Sequence, residues 1–184
     1  MNDEELVGKC LQGKREAQKE LYDRFAPKML GVCYRYAGSR EEAEDFLQEA
    51  FITVFRKLKQ WKGDGELGAW IRKIMVNTSL NGIKSKHRIA ENQNVIPIDN
   101  VMYNSGLQEP ASDEELVELI HNLPVGYKTV FNLYAIEGYS HEEIGNMLGI
   151  KASTSRSQYT RARELLMKKL DTDKKNKHND GRLA

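Results

Sequence analysis

Between Ser153 and Arg163 the chain carries Ser153, Arg156, Ser157, Thr160, Arg161 and Arg163, a dense run of hydrogen-bonding side chains. A guanidinium offers a planar fork of N–H donors that matches a phosphate or the O6/N7 edge of guanine. Serine and threonine hydroxyls both donate and accept at base edges. The same stretch places Tyr159, Ala162, Leu166 and Leu170 at spacings of 3, 4 and 4, the period of one apolar helix face. Just upstream, Ser140 followed by Glu143 has the spacing of a capping box, and Ile144 and Leu148 repeat at i, i+4. Gly149 then supplies a residue able to end a helix in the left-handed region. A short helix, a glycine turn and a basic helix is the layout that sets a recognition helix into the major groove. The competing reading is a capped helical hairpin whose charges are merely solvated.

A second polar stripe lies nearer the N-terminus. Lys73, Asn77, Asn81, Lys84 and Arg88 follow at spacings of 4, 4, 3 and 4, so they share one face of a helix. The opposite face reads Leu67, Trp70, Ile71, Ile74 and Thr78, with Met75 beside them. Lysine and arginine suit phosphates, whereas asparagine donates and accepts at a base edge. The preceding loop, Gln60-Trp61-Lys62-Gly63-Asp64-Gly65-Glu66, joins an aromatic ring to glycines, as loops that hold an unstacked base do. On spacing alone, a solvated polar face fits equally well.

Catalytic patterns are missing from the sequence. It has neither a GxxxxGK loop nor a GxGxxG turn, and the histidines at 87, 121, 141 and 178 have no thiol or carboxylate at ligand spacing. No catalytic residue, cofactor or metal is therefore expected, and His141 is expected to be an exposed first-turn residue. Cys10 and Cys33 sit in apolar helical patterns, which suits inert core thiols.

The elements needed to position these side chains are all helical. Of 184 residues, four are proline, at 27, 97, 110 and 124, and no β-alternating run separates them. Glu16 to Phe25 and Lys28 to Tyr36 read as two helices flanking Pro27. Ser39 with Glu42 opens another, from Arg40 to about Lys59, whose stripe of Ala43, Phe46, Leu47, Ala50, Phe51, Val54, Phe55 and Leu58 predicts a central core helix. The helix entered at Leu67 is expected to end near Lys86, and the period is lost from His87 to Ala111. Ser112 with Glu115 starts a second helical block, with Leu116, Leu119, Ile120 and Leu123 inward, followed by a helix from Val125 to Ile136. The expectation is an all-α chain of two small helical domains joined by a flexible linker: 1–88, a linker at 89–112, a helix-turn-helix domain at 113–170 and a disordered tail at 171–184.

Net charge is only +1, yet the charges segregate. Leu67 to Arg88 holds five Lys/Arg and no acid, while Glu41 to Glu49 holds five acids and no base. Opposite-sign surfaces imply two partners of opposite charge. No apolar run approaches the ~18 residues that span a bilayer, and the N-terminus is acidic, so a cytoplasmic protein without direct membrane insertion is expected.

Two long segments carry a family resemblance: CYRYAGSREEAEDFLQEAFITVFRKLKQWKGDGELGAWIRKIMVNTSLN, and LPVGYKTVFNLYAIEGYSHEEIGNMLGI with SRSQYTRARELL. With them the chain resembles the extracytoplasmic-function (ECF, group IV) sigma factors of bacterial RNA polymerase, over roughly residues 5–88 and 113–170. The resemblance implies a protein that joins core RNA polymerase, recognises the −10 and −35 promoter elements and begins promoter melting for a specialised regulon. It implies contacts with the polymerase β′ coiled coil, carried onto Asp45, Gln48 and Glu49, and with the β flap. It carries −10 contacts onto Lys73, Asn77, Asn81, Lys84 and Arg88, and −35 contacts onto Ser153, Arg156, Ser157, Thr160, Arg161 and Arg163. Trp70 matches a near-constant family tryptophan, and its phase assigns it to the core. An anti-sigma partner is implied as well. Where the family commonly has a small cap followed by acid-Gly-Thr, this chain has Lys151-Ala152-Ser153-Thr154, so Ser153 is expected to cap a shifted helix. A conventional helix-turn-helix regulator is the alternative, but it needs a ligand or receiver domain before residue 113, where no βαβ alternation is found.

Overall fold

The structure, a computed structural model, describes residues 1–92 and 113–180, with side chains described at 1–86 and 117–170. It divides into two units, residues 1–96 and 97–184. All of its described elements are helical, as the sequence patterning predicts.

The first unit holds α1 (Asp3–Leu11), α2 (Arg15–Tyr34), α3 (Arg40–Lys57, extended by a 3-10 turn Leu58–Gln60) and α4 (Leu67–Asn92). α3 lies against both α2 and α4 and buries Ala43, Phe46, Leu47, Ala50, Phe51 and Val54, the stripe read from sequence. Ser39 caps it as expected by accepting the Glu42 N–H. The Glu42 carboxylate does not complete the reciprocal box; it accepts the Gly38 N–H at 2.6 Å and pairs with Lys86 of α4 at 2.6 Å.

Two helix boundaries in this unit differ from expectation. Pro27 does not divide two helices; it sits inside one continuous α2. Its ring is on the solvent side, between buried Ala26 and Met29, and the apolar contacts on both flanks outweigh one lost i→i−4 bond. The helix read as ending near Lys86 continues to Asn92, because no proline or capping glycine interrupts it there. Residues 93–112, which include the rest of the expected linker and the Ser112 cap, lie outside the described residues.

In the second unit, α5 (Asp113–His121), α6 (Val125–Phe131, continuing through a π-helical turn Asn132–Ile136), α7 (His141–Leu148) and α8 (Ala152–Asp180) surround a core that includes Ile120, Leu123, Ala162 and Leu166. Lys128 is buried at 3% exposure, and its Nζ donates to the carbonyl of His121 at 3.2 Å. That bond satisfies an orphan carbonyl at the end of α5. The capping box at Ser140 and Glu143 is complete, and Gly149 takes the left-handed conformation (φ 73°). α8 runs through Asp180, across positions that the polar composition assigns to a disordered tail. A helix already anchored by packing propagates cheaply through lysine-rich sequence. Residues 181–184 lie outside the described residues.

Candidate nucleic-acid interface

α4 is clamped on one side by aromatic rings that need glycine beneath them. A Cβ on Gly82 would meet Phe46 Cε1 at 2.3 Å, and one on Gly68 would meet Phe25 Cε1 at 3.3 Å. The inward arc of α4 is therefore Leu67, Ile71, Met75, Val76, Thr78, Ser79 and Leu80. Met75, expected at the margin, has no exposure, whereas Trp70 and Ile74 are only partly buried. The assignment of Trp70 to the core is thus corrected: α2 and α3 together draw the buried arc past the tryptophan's position. Trp70 stands three residues before Lys73 and seven before Asn77, at one end of the polar stripe.

That stripe is open to solvent as expected, with Lys73, Asn77, Asn81 and Lys84 all exposed. The Arg88 side chain lies outside the described ones. Lys86, two residues before it, is occupied by Glu42. In the loop before α4, Gly63 (φ 82°) and Gly65 (φ 98°) adopt backbone conformations that side chains rarely take, and Gly65 N–H donates to the Gly63 carbonyl at 2.9 Å. The Trp61 indole Nε1 is shielded from solvent without a hydrogen-bond partner.

On α3, Asp45, Gln48 and Glu49 are exposed opposite the core stripe, beside Ile52, which is 60% exposed. Acids surrounding an exposed aliphatic side chain suit a protein partner with a basic rim.

The helix α8 starts at Ala152, so Ser153 lies within its first turn and is not the cap. The chain reverses tightly enough before α8 that the helix follows directly from Lys151, whose carbonyl accepts the Ser155 N–H at 3.1 Å. A Cβ on Gly145 would meet the Ile150 carbonyl oxygen at 2.8 Å, which measures how closely α7 approaches the turn. Ser153, Arg156, Ser157, Thr160, Arg161 and Arg163 are all exposed, as the sequence predicts, while Ala162 and Leu166 face inward.

Within the free protein these groups already have local partners. The Ser157 hydroxyl donates to the Ser153 carbonyl and that of Thr160 to the Arg156 carbonyl, each at 3.1 Å, leaving oxygen lone pairs to accept from a base amino group. Arg161 Nη1 donates to the Tyr127 hydroxyl at 3.3 Å, on the α6 edge of the helix. The Arg163 guanidinium carbon stands 5.9 Å from the centre of the Tyr159 ring. Arg156 Nη1 lies 3.4 Å from Glu142 Oε1 on α7.

Sequence reading missed the α7–α8 junction. His141, expected to be an exposed first-turn residue, is in the first turn but half-buried: it stacks on Tyr134 (centroids 4.3 Å apart, planes 7°) and places Nδ1 2.9 Å from the buried Ser155 hydroxyl. Tyr159 lies 4.6 Å from Tyr134 and stacks on Phe131 at 5.9 Å, extending the aromatic cluster through the unit. No helical period reports such contacts, because they cross a turn between two elements.

Residues 21–89 match the family Sigma-70 region 2, and residues 113–166 match Sigma-70, region 4. The ECF RNA polymerase sigma-E factor of Haemophilus influenzae is 31% identical over 182 residues, covering 92% of this chain and 96% of that one. The chain belongs to the ECF sigma factors. As an ECF sigma factor it works with RNA polymerase in promoter recognition and transcription initiation. The sigma-E factor of Escherichia coli K12 is 29% identical over 92% of this chain and 95% of its own length. The RNA polymerase sigma-H factor of Pseudomonas aeruginosa is likewise 29% identical, over 91% and 93%. Among solved structures, the sigma factor RpoE from Bartonella quintana, crystallised with the anti-sigma factor NepR, shares the fold at TM-score 0.55 and 19% identity, covering 84% of this chain and 97% of that one. CnrH, solved with the cytosolic domain of CnrY, matches at TM-score 0.50 and 20% identity over 93% and 98%. The region 2 match covers α4 as far as residue 89, and the region 4 match covers α7 and the first half of α8, as far as residue 166.

Proposed function

We propose that this sigma factor, a group IV member acting in the cytoplasm without catalysis of its own, divides promoter recognition between its two units. In the first, Asp45, Gln48 and Glu49 of α3 dock on the β′ coiled coil of core RNA polymerase. Lys73 and Lys84 of α4, with Arg88, hold −10 phosphates while Asn77 and Asn81 read unpaired −10 bases. In the second, Ser153, Arg156, Ser157 and Thr160 face −35 base edges, and Arg161 and Arg163 reach phosphates where α8 leaves the groove. Residues 113–170 act as the −35 module and 89–112 as the connector. A soluble or membrane-tethered anti-sigma protein covers these surfaces until a signal releases them, a reading supported by the structural relative solved with an anti-sigma factor.

The observation that carries this reading is the simultaneous exposure of Lys73, Asn77, Asn81 and Lys84 on a helix whose other face is closed by Phe46 and Phe25. Run-off transcription with core polymerase and this chain, on promoters selected from random DNA, tests it. Asn77→Ala and Asn81→Ala should lower open-complex formation and relax preference at one or two −10 positions, each lost base contact costing about 1–3 kcal/mol. Normal permanganate reactivity in both variants on the unaltered promoter would remove the base-reading role.

A further inference from the structure

Two contacts join the first turn of α7 to the recognition helix at the same sequence offset. His141 meets Ser155, and Glu142 meets Arg156, each pair separated by fourteen residues. The first is enclosed, since Ser155 has no solvent exposure and the imidazole is stacked on Tyr134. Gly145, one turn further, leaves no room for a Cβ against the Ile150 carbonyl. The backbones of α7 and α8 are therefore held in one rotational register, and the exposed Glu142 and Arg156 side chains meet across the junction.

We propose that Glu142 is a positioning residue for Arg156, fixing the rotamer from which its guanidinium reads a −35 base pair. Glu142 thereby shapes sequence preference without touching a base. The proposal rests on the assignment of base reading to Arg156. Both side chains are well exposed, 70% for Glu142 and 56% for Arg156, so the ion pair adds little to stability. Its effect lies in ordering a flexible side chain before binding, which lowers the entropy lost on forming the complex. One N–H held by Glu142 leaves the remaining donors of the fork for a purine edge. The same carboxylate repels nearby phosphates, an effect that is uniform across sequences and screened by salt. Orientation and repulsion are therefore separable by experiment.

The test uses full-length chain in holoenzyme, competing promoters that differ at single −35 positions, at two salt concentrations. Arg156→Ala should flatten discrimination at one base pair by about 5- to 150-fold. Glu142→Ala should lower it at the same base pair by about 2- to 10-fold, with the thermal midpoint unchanged. Glu142→Gln, which keeps an acceptor oxygen but loses the charge, should retain discrimination and gain affinity for all sequences alike. The double variant Glu142→Ala/Arg156→Ala should discriminate no worse than Arg156→Ala alone. If Arg156→Ala flattens preference and Glu142→Ala leaves it intact, or if the two losses add in the double variant, the positioning role is wrong and base reading stands. If Arg156→Ala leaves preference intact, base reading falls and the positioning role with it.

Discussion

The Nδ1 of His141 stands 2.9 Å from the hydroxyl of Ser155, fastening the first turn of α7 to the first turns of the recognition helix. Ser155 is fully enclosed, so its hydroxyl cannot exchange this partner for water, whereas His141 is half-buried. Ser155→Ala should lower the stability of the chain by about 1 kcal/mol, the usual net value of one internal hydrogen bond. Urea unfolding followed by circular dichroism would check it, and an unchanged midpoint would mean that packing alone sets the junction.

Glycine at 82 and 145 is a packing requirement. Gly82→Ala drives a methyl into the Phe46 ring, and Gly145→Ala drives one against the Ile150 carbonyl. Overpacking of about 1–3 kcal/mol should exceed the gain of up to about 1 kcal/mol that alanine brings to a helix. Gly31→Ala, where nothing lies within 4 Å, should instead stabilise by about 0.5–1 kcal/mol. Thermal midpoints of the three variants should split in sign accordingly.

Burial pushes the Cys33 thiol up to about 11 from a usual value near 9. The folded thiol then keeps its proton where the unfolded one has lost it. The native state binds more protons across that window, so stability is fully present below pH 9 and falls as pH rises towards 11. Urea midpoints at pH 8 and pH 10.5 should show this decline, and Cys33→Ala should remove that component. Iodoacetamide should leave Cys33 unmodified in the native chain at pH 8.

Reversal of charge at Asp45 and Glu49 together should weaken binding to core polymerase several-fold and leave the helical spectrum unchanged. Both residues are exposed, and single surface charges contribute about 0–1 kcal/mol, which makes the double variant the informative one. Affinity equal to that of the unaltered chain would place the docking surface elsewhere.

Arg163→Ala should reduce holoenzyme affinity evenly across −35 variants and lower the salt slope by about one unit, as expected for a lost phosphate contact. A loss confined to one base pair would make Arg163 a reader of sequence instead.

The sequence by itself determined the helical class, the polarity of the helices and the family, though not every helix boundary. The α3 stripe, the Ser39 and Ser140 caps and the Gly149 terminator depend on contacts within a few residues, so their spacing suffices to place them. The exposed stripes on α4 and α8 were legible for the same reason: a helix that buries one face must show the other.

What the tertiary structure decided is how deep each position lies and which side chains meet across a turn. Pro27 remains within α2 because packing on both flanks outweighs one missing bond. Trp70 sits at the rim because Phe25 and Phe46 press on Gly68 and Gly82 and rotate the buried arc past it. His141 and Glu142 acquired partners fourteen residues away because the tight turn at Gly149 folds α7 back on α8. Periodicity records the angle of a side chain around its own axis. The distance to the neighbouring helix, which fixes burial and pairing, is set by the residues of both helices together.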